Sequence, residues 1–243
     1  LLQRNKIRRF SYAATLFHFI LEDFIMLKAV IFDMDGVIAD TEPAYKIATD
    51  ELLLEHGIVT AEDYQDQFIG VTSEFMWTTI IRDFHLPMTP DTCIRIIDEK
   101  RAVYEEMHGL HPLPDVIALI RRLAAHGYPL AVASSSPIEE INRIMELFQI
   151  REYFNAFFSG TDCENSKPDP EVFLKTAGAL HVRPEDCLVI EDSNNGLIAA
   201  KRAGMKSIGF ANPMFGNQDL SAATTIVTSF DQVTIALCQN LFS

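Results

Sequence analysis

The stretch from Ala29 to Glu42 reads AVIFDMDGVIADTE and constrains this chain more than any other. Apolar, mostly β-prone residues run straight into Asp33, and Asp35 follows one residue later, with a glycine behind it. Such a run reads as a buried strand that stops at a polar turn. Strand ends of this kind are where ligand sites form in open α/β sheets. Two carboxylates at one strand end repel each other unless a cation or a proton lies between them. Hard oxygen donors favour Mg²⁺. With a cation in place, one carboxylate can act as nucleophile while the other moves a proton. Taken alone, a D-x-D pair is also common in turns and helix caps, so the rest of the chain has to agree.

The pattern after this strand changes twice. Residues 41–57 read as a helix with Thr41 as cap, a proline near its start and Gly57 at its end. Residues 61–70, 73–86 and 89–109 read as further helices, and no strand-like run interrupts 41–108. A proline-bearing hinge then leads into a helix ending at Gly127. Beyond it strands and helices alternate. Strands are expected at 129–134, 154–160, 187–192, 206–211 and 223–229, helices at 137–150, 169–180 and 193–204, and a closing helix from Asp231 onward. This alternation implies an α/β fold, a Rossmann-like doubly wound parallel sheet with helices on both faces. The expected division is an α/β core of residues 26–40 and 112–243, with residues 41–111 forming a small all-helical cap inserted after the first strand. Trp77, Phe75 and Met76 are expected in the interior of that cap; the alternative is that one of them faces the substrate.

Residues 1–25 begin basic and then turn apolar, roughly as a signal peptide does. No small-residue cleavage site follows the apolar run, and it is too short to span a bilayer. They are expected to be an extension whose removal costs neither activity nor solubility; the alternative is a helix packed outside the core.

With 243 residues, 48% of them apolar, the chain is long enough for one large domain, or for a domain with an insert. Its net charge of −14 argues against nucleic-acid binding, which needs a basic face. It does not exclude an anionic substrate, because a bound Mg²⁺ and one lysine reverse the field inside a pocket. Four dispersed cysteines form no C-x-x-C pair, which fits a reducing, cytoplasmic setting. No membrane span is expected, and the chain is expected to be a monomer.

Three more strand ends carry polar residues. The strand at 129–134 runs into Ser134, Ser135 and Ser136, with Pro137 opening a helix; hydroxyls and free N–H groups at a helix start bind phosphate well, although serine caps are common. Lys167 precedes Pro168, a position that is more often solvated surface. Glu191 and Asp192 end a fourth apolar run, with Ser193 or Asn194 as cap of the next helix and Gly196 allowing close packing. Two strands that each end in acid make a multi-carboxylate pocket suited to Mg²⁺.

The string FDMDGVIADTEP, followed in order by the strand-end serines, the Lys-Pro pair and the Glu-Asp pair, resembles the haloacid dehalogenase superfamily, and the resemblance runs from about Leu27 to Asn212. It implies that Asp33 attacks phosphorus and forms an aspartyl-phosphate, and that Asp35 protonates the leaving group and then activates water. It implies further that Ser134, Ser135 and Lys167 hold phosphoryl oxygens. Mg²⁺ would be held by Asp33, the backbone carbonyl of Asp35, and Asp192, with Glu191 beside it as ligand or partner. The helical insert resembles the cap of the β-phosphoglucomutase-like branch, which places Glu42, Tyr45 and Ser73 at the substrate.

Within that branch three positions depart from the mutases. Ser73 stands where a mutase carries an arginine that grips a second phosphate, and a serine cannot replace a bidentate arginine. Tyr45 stands where mutases tend to carry histidine, and SSSP lacks their Lys-Asn pair. The expected activity is therefore a Mg²⁺-dependent phosphatase acting on a small phosphorylated metabolite such as a sugar phosphate. The alternatives are a β-phosphoglucomutase-type isomerase and a non-catalytic phospholigand-binding protein. Dehalogenation fits less well because Asp35 is present. A phosphonatase would need a cap lysine, and Lys46 and Lys100 sit in no recognisable motif.

Overall fold

The computed structural model describes residues 26–61, 63–212 and 218–243; the expectation about residues 1–25 lies outside them. Six strands form one parallel sheet: β1 (Ala29–Phe32), β2 (Leu130–Ser134), β3 (Ala156–Ser159), β4 (Cys187–Glu191), β5 (Lys206–Phe210) and β6 (Thr225–Val227). Their order is β3-β2-β1-β4-β5-β6. Every residue of β1, β2 and β4 is buried, which is why these strands read as continuous apolar runs.

Successive side chains point to opposite faces of a strand. Val30, Phe32, Val132 and Ile190 pack with α4 (Val116–Ala125) and α5 (Ile138–Leu147) on one face. Ala29, Ile31, Ala133 and Val189 pack with α6 (Glu171–Ala179) and α7 (Asn194–Arg202) on the other. The strand order reverses between β1 and β4, and the crevice beyond the carboxyl ends at such a point is where ligands bind. Topology alone therefore brings Asp33, just after β1, to Glu191 and Asp192 at the end of β4.

The helices α1 (Glu42–Glu55), α2 (Ser73–Phe84) and α3 (Pro90–His108) pack around a separate cluster that includes Leu52, Leu53, Trp77, Ile80 and Ile97. The two chain segments joining this insert to the sheet run side by side. Ala39 bridges Pro112 in antiparallel fashion, and Asp40 N–H donates to the His111 carbonyl at 3.0 Å.

Several local expectations are corrected. Residues 61–70 hold a single 3₁₀ turn, Tyr64–Phe68, in place of a helix. Tyr64 and Phe68 pack edge-on at 5.7 Å, then Ile69 turns extended and Gly70 takes φ +82°. The carbonyls of Ile69 and Gly70 are turned toward the core. The last strand is only three residues long, and the closing helix α8 (Ile235–Asn240) starts later than expected, after a 3₁₀ turn at Phe230–Gln232. Trp77 is fully buried, but Phe75 on α2 is 53% exposed. All four cysteines are free, and no helix among the described residues is long and apolar enough to cross a membrane.

Candidate active site

Asp33, Lys167, Glu191 and Asp192 meet beneath the insert, each at most 3% exposed. Lys167 Nζ lies 2.6 Å from Asp33 Oδ1 and 3.0 Å from Glu191 Oε1, donates to the Ala133 carbonyl at 3.3 Å, and stands 4.9 Å from the Phe173 ring centroid. A lysine before a proline is ordinarily solvated. This one is drawn inside by two carboxylates more than twenty residues away in sequence, and its peptide bond to Pro168 is cis. Burial alone would lower the Lys167 pKa, but Asp33 and Glu191 outweigh it and hold the ammonium charged.

One ammonium does not balance three carboxylates. Burial, and after it the neighbouring carboxylates, push Asp192 well above the ordinary carboxylate range. Burial pushes Asp33 the same way, and Lys167 only partly opposes it. One carboxylate oxygen from each of Asp33, Glu191 and Asp192 lies within 4.8 Å of the others. Both Glu191 oxygens accept protein donors, Lys167 Nζ and the Ser193 N–H at 2.6 Å. Asp192 Oδ2, by contrast, is buried and accepts no hydrogen bond. Gly36 makes the space beside it: a Cβ there would fall 2.1 Å from that oxygen. A pocket two positive charges short of balance, with a buried oxygen lacking a donor, fits a divalent cation.

Asp35 is held differently. Its Oδ1 accepts from Thr41 Oγ1 at 2.7 Å, and its Oδ2 accepts from Ser134 Oγ at 3.0 Å and Ser136 Oγ at 2.7 Å. Thr41 occupies the cap position of α1 but makes no side-chain bond to that helix, contrary to expectation. Pro43 in the first turn removes one of the N–H groups that such a cap would bind, and the carboxylate takes the hydroxyl instead. Ser193 does cap α7, accepting from Gly196 N–H at 3.0 Å.

The insert closes over these groups. Ser135 Oγ donates to the Gly70 carbonyl at 2.7 Å, so its hydroxyl ties the core to the insert in this structure. Asn195 Nδ2 donates to the Ile69 carbonyl at 3.0 Å, and Thr72 N–H donates to Ser166 Oγ at 3.0 Å. Arg101 on α3 stacks 3.7 Å over the Tyr45 ring and pairs with Glu140 on α5 at 3.1 Å. Sequence reasoning missed Arg101 and Asn195, and it read Ser136 only as one of three strand-end hydroxyls suited to phosphate, not as a partner of Asp35.

Between insert and sheet lies a cavity of about 370 Å³ bordered by Asp33, Asp35 and Ser135 on one side and Glu42, Tyr45 and Ser73 on the other. Lys46 is the one cation among its described lining residues, and Met76 also borders it. Burial, and then the nearby Asp35, push Glu42 up to about 8 in spite of Arg101. Ser134 and Lys167 lie behind the wall, bonded to Asp35 and Asp33 that form it, and Glu191 and Asp192 lie deeper, beside Asp33.

Comparison with known proteins gives the family of the chain. The chain is 33% identical over 208 residues to a probable pseudouridine-5'-phosphatase of Drosophila melanogaster, covering 82% of this chain and 88% of that protein. It is 32% identical to a phosphorylated carbohydrates phosphatase of Thermotoga maritima over 75% of this chain and 84% of that one. A solved β-phosphoglucomutase of Clostridium difficile superposes with a TM-score of 0.76 at 25% identity, covering 89% and 97% of the two chains. The model of the haloacid dehalogenase-like hydrolases matches residues 30–210, from β1 to the end of β5, and the chain belongs to that family.

Proposed function

We propose that this enzyme is a Mg²⁺-dependent phosphatase that hydrolyses a small phosphorylated metabolite, a sugar phosphate or a similar ester, through an aspartyl-phosphate. The observation that carries this reading is the pairing of Asp33 and Asp35 at one cavity wall, with Lys167 Nζ 2.6 Å from Asp33 Oδ1. Phosphoryl transfer asks for alignment and for neutralisation of spreading negative charge, and for little other chemistry from the protein.

In the first step an Asp33 oxygen bonds to phosphorus as the ester P–O bond breaks. The leaving oxygen takes the proton of the Asp35 carboxyl and departs as an alcohol. In the second step the Asp35 carboxylate removes a proton from water, and the water oxygen bonds to phosphorus. The bond from phosphorus to Asp33 breaks, inorganic phosphate leaves, and Asp35 is again protonated. Lys167 and the Ser134 hydroxyl hold phosphoryl oxygens throughout. Asp33, Asp192 and the backbone carbonyl of Asp35 would hold Mg²⁺, with Glu191 fixing Lys167 beside them. When bound, the ion supplies positive charge against the phosphoryl oxygens.

The cavity volume suits a small metabolite, and the relatives named for phosphatase activity support hydrolysis. The solved mutase supports the alternative of an isomerase. Against it, Ser73 borders the cavity where a mutase would need an anion clamp.

The test is an assay with Mg²⁺ on a panel of phosphorylated metabolites, including β-glucose 1-phosphate with a trace of glucose 1,6-bisphosphate. Free phosphate without glucose 6-phosphate is the expected result. Efficient glucose 6-phosphate formation would establish the isomerase instead, and binding without turnover of any ester a non-catalytic protein.

A second expectation concerns the ion alone. Burial holds Asp33 and Asp192 up, so in the metal-free protein their contribution to stability is present at low pH and is lost as pH rises through their raised values. Glu42 adds the same sign, lost as pH passes about 8. Mg²⁺ must displace those protons. The gain in melting temperature on adding Mg²⁺ is therefore expected to grow between pH 5.5 and 8.5, and to vanish in Asp192→Asn. A gain that stays constant across that range would contradict the assignment.

A further inference from the structure

Three hydroxyls reach the Asp35 carboxylate: Thr41 donates to Oδ1, and Ser134 and Ser136 share Oδ2. When Ser134 Oγ turns to a phosphoryl oxygen it gives up its bond to Asp35 Oδ2, now 3.0 Å long. Ser136 Oγ, at 2.7 Å, then remains as the donor to that oxygen. Ser136 is 7% exposed, and its own backbone is tied on both sides. Its N–H donates to Ser134 Oγ at 3.0 Å, and its carbonyl accepts from Ser159 Oγ at 2.7 Å. Ser159 ends β3, the edge strand, and is itself fixed by Thr161, whose N–H donates to Ser159 Oγ at 3.1 Å. A continuous run of hydrogen bonds thus connects the sheet edge to Asp35.

We propose that Ser136 is a positioning residue for the proton transfer: braced by Ser159, it keeps the Asp35 carboxyl aligned on the leaving oxygen while Ser134 is engaged by phosphate. The inference rests on the reading of Asp35 as proton donor. The proton passes from the Asp35 carboxyl to the leaving oxygen as the P–O bond breaks. Ser136 keeps its own proton and donates a hydrogen bond to the carboxylate left behind. A residue bonded through its N–H and its carbonyl holds its Cβ in place, so its hydroxyl stays within reach of Asp35, and this is the support that a group moving a proton requires.

Phenyl phosphate and p-nitrophenyl phosphate differ little in shape, but nitrophenolate leaves readily without a proton and phenolate does not. Ser136→Ala is expected to lose at least about tenfold more kcat/KM on phenyl phosphate than on p-nitrophenyl phosphate. Ser159→Ala should shift the same ratio in the same direction by less, and it carries the test if Ser136→Ala melts early. Ser136→Thr, which restores a hydroxyl, should recover the ratio. Equal losses on both esters, or no loss, would overturn the inference. Asp35→Asn on the same two esters separates the two levels. An unequal loss there with an equal loss in Ser136→Ala removes Ser136 alone from the mechanism. An equal loss in Asp35→Asn, or no hydrolysis of either ester by the unaltered protein, overturns the reading of Asp35 and this inference with it.

Discussion

Asp33→Asn is expected to lower kcat by about 10⁴-fold or more while leaving the fold intact, since residues that act as one catalytic unit fail together when the nucleophile is removed. The amide is nearly the size of the carboxylate, and its oxygen can still accept from Lys167 Nζ, which now stands 2.6 Å from Asp33 Oδ1. The substitution also removes one of three buried carboxylates around a single ammonium, so the metal-free protein should melt no lower than the parent. Steady-state hydrolysis and a thermal melt on the same preparation check both halves. A variant that retains a tenth of the parental turnover would refute the nucleophile assignment. One that loses turnover only because it unfolds would leave Asp33 a structural residue.

The largest loss of stability is expected from Lys167→Met. This change keeps the length of the stem near Phe173 but removes the charge that faces Asp33 and Glu191. Breaking a buried pair by deleting one partner typically costs about 3–5 kcal/mol. The carboxylates left behind can escape that cost by taking up protons. Asp33, already held high by burial, moves higher still without the ammonium, so the stability deficit should be small near pH 5 and should grow as pH rises through neutrality. Urea denaturation at pH 5.5 and 8, without added metal, measures the deficit directly. A loss equal at both pH values would mean that Lys167 contributes packing and not charge.

The parts of this molecule that could be read from the sequence are those fixed by burial along the chain. β1, β2 and β4 announce themselves because a strand covered on both faces has no polar alternation to disguise it. Asp33 and Asp192 were visible for the same reason: each follows directly on such a strand. Lys167 is legible only through the resemblance of its motif, since its own neighbours describe an exposed turn. Its burial comes from carboxylates supplied by two other strand ends, a fact that only the topology contains. Thr41 and the segment 61–70 were misread because local rules assign a hydroxyl to its own helix and apolar spacing to a helical face. In the fold the hydroxyl finds a carboxylate, and the carbonyls of Ile69 and Gly70 find Asn195 and Ser135. Arg101 carries no local signature, and the serine run marks Ser136 without its partner, because each matters through a residue far along the chain.

The separate apolar cluster of α1, α2 and α3 shares no residue with the two clusters that flank the sheet. The groups assigned to bond making and breaking all lie on the sheet side, and Glu42, Tyr45 and Ser73 all lie on the helical side. Mutations can therefore accumulate in one body of the protein with little penalty in the other. A lineage built on this plan can try new alcohols by drift in its helices while its phosphorus chemistry stays under constant selection.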